Sequence, residues 1–501
     1  MDQLYYLAIF LLTPAFATWI SNDHNFVQKA VTKLYSHMNT LSSLHVHALC
    51  AVVDKLPMPQ FLGNSRDVHE DVLQRRRNPP TWDTGYEGMT YATLPLIAAV
   101  EPLQSSSDEG GSISFLTLGG SDNDIMFNDT LRLPLANTIF QTGSPTTMTY
   151  SSWRGDAETG KLTLDSSKDL NQFGIRLPQH DDTNQVASAL AIPLVPLHPP
   201  RVVTASMGNI LRQINDEGTE RRIVPASQEL ERLVPQYFKS RGEPSRPVSV
   251  WALIIPEGIS EKFHMVTQEH LKRLHAKENI DQPALIPGVW DALWRSNPVV
   301  WDDTVSLALT KGARLHRVLS GGGGWGKKAG LLSLDPISTG FESAILTKIP
   351  SEELPEHEDL SSVLRPVAEP GDLVQFLLSP MQHREGTSTL EETLLKVVRP
   401  TESSSTWTWE FGTIPSTTDA AQQSPSQHNH IGEGDFSKVL VFRNSFGALT
   451  EGAMYFTRKL GLSSGDSFSA VSGSKVDVPF SRFSSVNYYT GRINDVCSPL
   501  P

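Results

Sequence analysis

Apolar and polar positions along this chain follow two periods, and the two alternate. Phe26, Ala30, Val31, Leu34 and Met38 recur at helical spacing, so the pattern predicts an amphipathic helix over 26–44. His45 to Val53 alternates and then becomes wholly apolar, which predicts a largely buried strand fed by that helix. The same logic predicts strands at Ile113 to Leu118, Val248 to Ile255, Arg314 to Leu319 and Thr406 to Phe411. It predicts helices at Asn209 to Asn215, Ser227 to Arg241, Ser260 to Lys277 and Asp303 to Lys311. Thr138 to Gln141 and Thr147 to Trp153 flank Gly143-Ser144-Pro145, the pattern of a β-hairpin. Helices interleaved with apolar strands imply an α/β fold, or a mixed α+β one: layered sheets with flanking helices in two packed domains.

Composition changes shape into boundaries. The 501 residues exceed one ordinary core. Four prolines between Pro193 and Pro200 stiffen the chain and mark a junction. The expected organisation is an apolar segment at 1–25, a strand-rich α/β domain at 26–195 and a second α/β domain at 201–412. A disordered Ser, Thr, Gln, Pro and His insertion at 413–435 follows, then C-terminal strands at 436–501 packing on the second domain. The tail beyond Phe483 reads as polar and loose.

Charge narrows the partners. A net charge of −13 repels nucleic acid, and anionic lipid too, unless basic groups are locally concentrated. Two cysteines, Cys50 and Cys497, make neither a disulfide framework nor a structural zinc site, which favours a reducing compartment, cytoplasmic or mitochondrial. The apolar run Leu4 to Ala17 ends in Ala15-Phe16-Ala17, the form of a signal-peptidase site, and leaves the secretory pathway as the alternative. It is too short for an integral membrane span, and no other run is long enough.

One stretch carries candidate chemistry. Ser320 to Gly330 holds four consecutive glycines, Trp325, Gly326 and two lysines. Gly321, Gly323 and Gly326 would let backbone amides turn inward on a phosphate, and Lys327 and Lys328 would neutralise it. Lys328 stands where a nucleotide hydrolase needs a metal-holding Ser or Thr, so what remains is a two-lysine anion clamp for a phosphorylated ligand. Elsewhere His45 and His47 share one face of a strand, with His69 and Glu70 as further metal-ligand candidates, and His180-Asp181-Asp182 resembles part of a carboxylate–histidine pair. None of these completes a metal or catalytic constellation, and no cofactor is expected.

The segment Gly321 to Pro336, Gly-Gly-Gly-Gly-Trp-Gly-Lys-Lys-Ala-Gly-Leu-Leu-Ser-Leu-Asp-Pro, resembles a motif in uncharacterised proteins of filamentous fungi. The resemblance implies a fungal source and brings no activity with it. The functional expectation is therefore a non-catalytic intracellular assembly, regulatory or interaction factor with an unknown protein partner, organellar or cytoplasmic. The alternative is an enzyme or binding protein holding a phosphorylated small molecule on Gly321 to Lys328.

Overall fold

The computed structural model describes residues 5–21, 25–36, 44–57, 84–100, 110–120, 125–156, 161–178, 184–215, 222–260, 263, 294–295, 304–321, 330–336, 366–379, 406–416, 444–462 and 469–489. The chain is mostly β, which corrects the expected layered α/β fold. The expected helix at Ser260 to Lys277 apart from Ser260 and Phe263, the insertion at 413–435 beyond Ser416, and Cys497 lie outside the described residues.

The first sheet is built around β1 (Tyr5–Leu12) and β2 (His45–Val52), which run parallel. Two helices on one face connect them, α1 (Thr18–Ser21) and α2 (Asn25–Tyr35). This β-α-β unit is the part of the α/β expectation that exists. β3 (Met89–Pro95) pairs antiparallel with β1, and β7 (Met148–Asp156) then β8 (Lys161–Asp169) extend the sheet beyond β2. β1 is buried on both faces. Leu7, Ile9 and Leu11 enter the large central core, whereas Ala8, Phe10 and Leu12 meet the helices with Val27, Val31 and Trp153. A strand covered on both sides needs an unbroken apolar run. The segment that resembles a targeting signal is thus an interior strand.

A second sheet contains β4 (Ala99–Val100), β5 (Ser112–Gly120), β6 (Ile125–Pro134) and β9 (Gln172–Arg176), joined by β21 (Met454–Leu462) and β22 (Ser469–Val476). A third places β10 (Asn184–Ala191) beside β23 (Arg482–Tyr489), followed by β19 (Thr406–Thr413) and β20 (Ser445–Thr450). The C-terminal strands therefore pair with strands from the first half of the chain. β23 occupies the expected loose tail, and Val486 and Asn487 on it are fully buried.

The fourth sheet closes on itself. β12 (Arg201–Met207), β13 (Ile210–Asn215), β17 (Leu332–Leu334), β16 (Arg314–Gly321), β15 (Val250–Ile255) and β18 (Leu373–Leu378) each pair antiparallel with the next, and β18 pairs back to β12. Closure removes the exposed edges of an open sheet. β11 (Val195–Pro196) and β14 (Ile223–Pro225) attach to β18 and β13. The proline-rich stretch is thus a strand contact, with Leu194, Val195, Leu197 and His198 buried.

Alternate residues of β15 serve two cores: Ala252 and Ile254 face Val203, Ile214 and Phe376, while Trp251, Leu253 and Ile255 join the central core. Residues 210–215, expected as helix, are a strand paired with β12, β14 and β17, and an irregular register against β12 lets both Leu211 and Ile214 bury in this ring although they lie three residues apart. The longest helix follows β14. Two short ones are also described, so that α3 is Ile139–Thr142, α4 is Ala226–Arg241 and α5 is Thr304–Thr310. α4 ends at Gly242 in the left-handed conformation and lays Leu230, Leu233, Tyr237 and Phe238 into the barrel core. α3 replaces one arm of the expected hairpin: Gly143, at φ 81°, caps it.

Candidate functional site

The glycine stretch begins where expected, at the end of a strand. β16 runs into Gly321 and β17 starts at Leu332, so both ends of the loop are placed. Both lie against the start of α4. A Cβ at Gly321 would sit 3.9 Å from Ser227 Cβ, and one at Gly330, whose φ is +87°, would come within 2.8 Å of Pro225. Gly330 is obligatory on both counts. The Ser227 hydroxyl, in the first turn of α4, is buried without a hydrogen-bond partner. The dipole of that first turn favours an anion, but Glu229 already places a carboxylate there and the Ser227 amide donates to the Gly330 carbonyl. Gly323, Gly326, Lys327 and Lys328 lie outside the described residues.

Of the remaining sequence candidates, His47 and Cys50 have structural surroundings. His47 stacks on Tyr150 and hydrogen-bonds its hydroxyl at 2.9 Å, and no metal-binding group occurs among the described residues. Burial, and secondarily His45, lowers the His47 pKa. His69, Glu70 and His180 to Asp182 lie outside the described residues. The Cys50 thiol faces the helices from β2, and burial pushes its pKa up to about 12, so it is no nucleophile.

Two histidines that sequence reading passed over are buried and neutral. His198 donates from Nδ1 to the Pro199 carbonyl and accepts the Phe376 amide at Nε2, 3.0 Å away. Burial lowers its pKa to about 3. His316 donates from Nδ1 to the Asp335 carbonyl at 2.9 Å, and burial lowers its pKa to about 4. Both rings protonate near 6.5 when unfolded. The unfolded chain therefore binds more protons below that pH, and stability present above pH 6.5 is lost as pH falls towards 4. The loss approaches ~1.4 kcal/mol per pH unit for each ring. Histidine NMR signals of the folded protein should show neither ring titrating above pH 5; titration of both near 6.5 would refute the assignment.

The feature most exposed to a partner is aromatic. A turn at Pro14–Phe16 and α1 follow β1, and α2 crosses the same face of the first sheet. Their rings form a continuous series: Phe16 lies 4.9 Å from Trp19, Trp19 lies 5.1 Å from Phe26, and Phe10 lies 6.2 Å from Phe26 and 6.3 Å from Tyr91. Beside α1 sits α3. Trp19 is 45% exposed, Tyr91 43%, Ile139 40% and Phe140 94%. Met89, two residues before Tyr91 on β3, adds to the edge. Large apolar side chains gathered on one face mark a contact surface more often than isolated ones do. Sequence reading missed this surface because Phe16 and Trp19 fell inside a supposed targeting segment. The signal available was Ile139-Phe140 set between the polar pairs Asn137-Thr138 and Gln141-Thr142.

Neither a protein-family model, nor a curated protein, nor a solved structure matches this chain.

Proposed function

We propose that this chain is a non-catalytic interaction factor that docks through the aromatic face formed by Trp19, Tyr91, Ile139 and Phe140. The observation that carries the reading is Phe140, which stands 94% exposed on a one-turn helix beside α1. Leaving a phenylalanine in water forgoes about 1.5–3 kcal/mol of burial, which a docked partner would recover. A photo-crosslinking residue placed at position 140 should capture a specific adduct in cells, whereas one at the exposed edge position Leu164 should not. Equal labelling at both positions, or at neither, overturns the reading.

A second reading is favoured by one observation, the meeting of Gly321, Gly330 and the buried Ser227 hydroxyl at the start of α4. On it, the positive charges of Lys327 and Lys328 neutralise a phosphorylated small molecule. Nucleotides, coenzyme A or sugar phosphates at 100 times their dissociation constant would then stabilise the protein by roughly 2.7 kcal/mol. A melting shift that survives Lys327→Ala with Lys328→Ala counts against it.

A further inference from the structure

We propose that the aromatic face docks on an anionic membrane surface, as a peripheral contact without insertion of a span. This rests on the docking reading above and names its partner. The argument is one of charge as well as shape. The chain as a whole carries −13, yet the helices and strand that build this face carry none of that charge, and on β8, which α2 meets at Leu162, Asp165 is paired with Arg154. α1 (Thr-Trp-Ile-Ser), α2 (Asn-Phe-Val-Gln-Lys-Ala-Val-Thr-Lys-Leu-Tyr), α3 (Ile-Phe-Gln-Thr) and β3 (Met-Thr-Tyr-Ala-Thr-Leu-Pro) contain no carboxylate. Asp23, in the connection between α1 and α2, lies outside the described residues. The nearest described carboxylate on the β3 side is Glu87, two residues before Met89, and it is paired with Lys55.

α2 supplies the cations. Val27, Val31 and Tyr35 are buried against the sheet, and Lys29 and Lys33, one turn apart, are exposed on its outer side. Lys29 follows Phe26 by three residues, so aromatic and cationic groups share one stripe of the helix. Tryptophan and tyrosine prefer the boundary between headgroups and acyl chains, and lysine preferring anionic headgroups sits just outside it. An acidic body behind such a face is repelled by the same headgroups, which leaves one orientation of approach. A protein partner with an acidic rim would satisfy the charge but has no need of a lone protruding Phe140; a fluid lipid surface accepts a protruding ring without a matching pocket.

Flotation of the full chain with phosphatidylcholine vesicles, with and without phosphatidylserine, tests this. Binding is expected only with phosphatidylserine, and it should weaken as salt is raised. Lys29→Ala with Lys33→Ala should weaken it by roughly 25-fold, about fivefold for each charge. Phe140→Ser should abolish it, and this variant and the lysine pair should keep the parent circular dichroism and melting temperature because Phe140, Lys29 and Lys33 are exposed. Lys239→Ala with Lys311→Ala, exposed lysines elsewhere, should change nothing. Absence of flotation, or equal flotation on both vesicle types unaffected by the Lys29 and Lys33 changes, overturns the proposal. If vesicles fail while the crosslinker at position 140 captures a protein, the membrane inference falls and the docking reading stands; if the crosslinker also fails, both fall.

Discussion

A chain lacking residues 1–17, as cleavage after Ala17 would leave it, is expected not to fold. β1 lies between β2 and β3, so its removal cuts the edge strand β3 off the first sheet and leaves one side of β2 unpaired. It also empties two cores at once. Leu7, Ile9 and Leu11 leave the central core, and Phe10 and Leu12 leave the helix-covered one. Each of these five side chains contributes about 1.5–3 kcal/mol by burial alone. Their combined loss rivals the ~5–15 kcal/mol that holds a typical domain folded. Far-UV circular dichroism and solubility of the truncated chain, beside the full chain, give the answer. A soluble truncated protein with a cooperative melt would show that β1 is dispensable. A milder probe, Ile9→Ala, should cost about 2–5 kcal/mol, read from the urea midpoint.

The same strand explains what could and could not be read beforehand. Strands buried on both faces were visible as apolar runs: β15 and the second half of β2 fell where expected. β1 was equally visible as a run, but length and position near the start of the chain suggested a signal, and nothing local distinguishes the two. Polar strands were invisible. β8 (Lys-Leu-Thr-Leu-Asp-Ser-Ser-Lys-Asp) buries only Leu162, because it is an edge strand whose order comes from pairing with β7 rather than from its own pattern. Closure of the barrel was beyond local reasoning altogether. It joins Arg201 to Val374 and Ile210 to Ser333, pairings set by the ring and not by neighbours in sequence. Too many strands were thus missed, the helices weighed too heavily, and a mostly β chain looked α/β. At the candidate sites, the glycine loop was legible because glycine runs are rare, whereas the aromatic face needs four separated segments to be brought together.

Glu229→Ala should be the most damaging single polar substitution in the barrel. Glu229 sits in the first turn of α4, and its buried carboxylate lies 2.9 Å from Arg201 of β12 and also pairs with Arg232. The Arg201 side chain is only 3% exposed, so water cannot replace the lost partner. Arg232 is half exposed and its share is small by comparison. Truncating one member of a buried pair leaves an uncompensated charge, at a cost of about 3–5 kcal/mol. The pair also fixes α4 against the strand that closes the ring. An experiment that separates charge from packing combines Glu229→Leu with Arg201→Met. Removing both charges while keeping the volume should restore most of the stability lost in Glu229→Ala, since apolar replacements for a buried pair are often neutral or stabilising. Equal destabilisation of the single and double variants, measured by urea unfolding, would mean that Glu229 acts through local helix capping and not through Arg201.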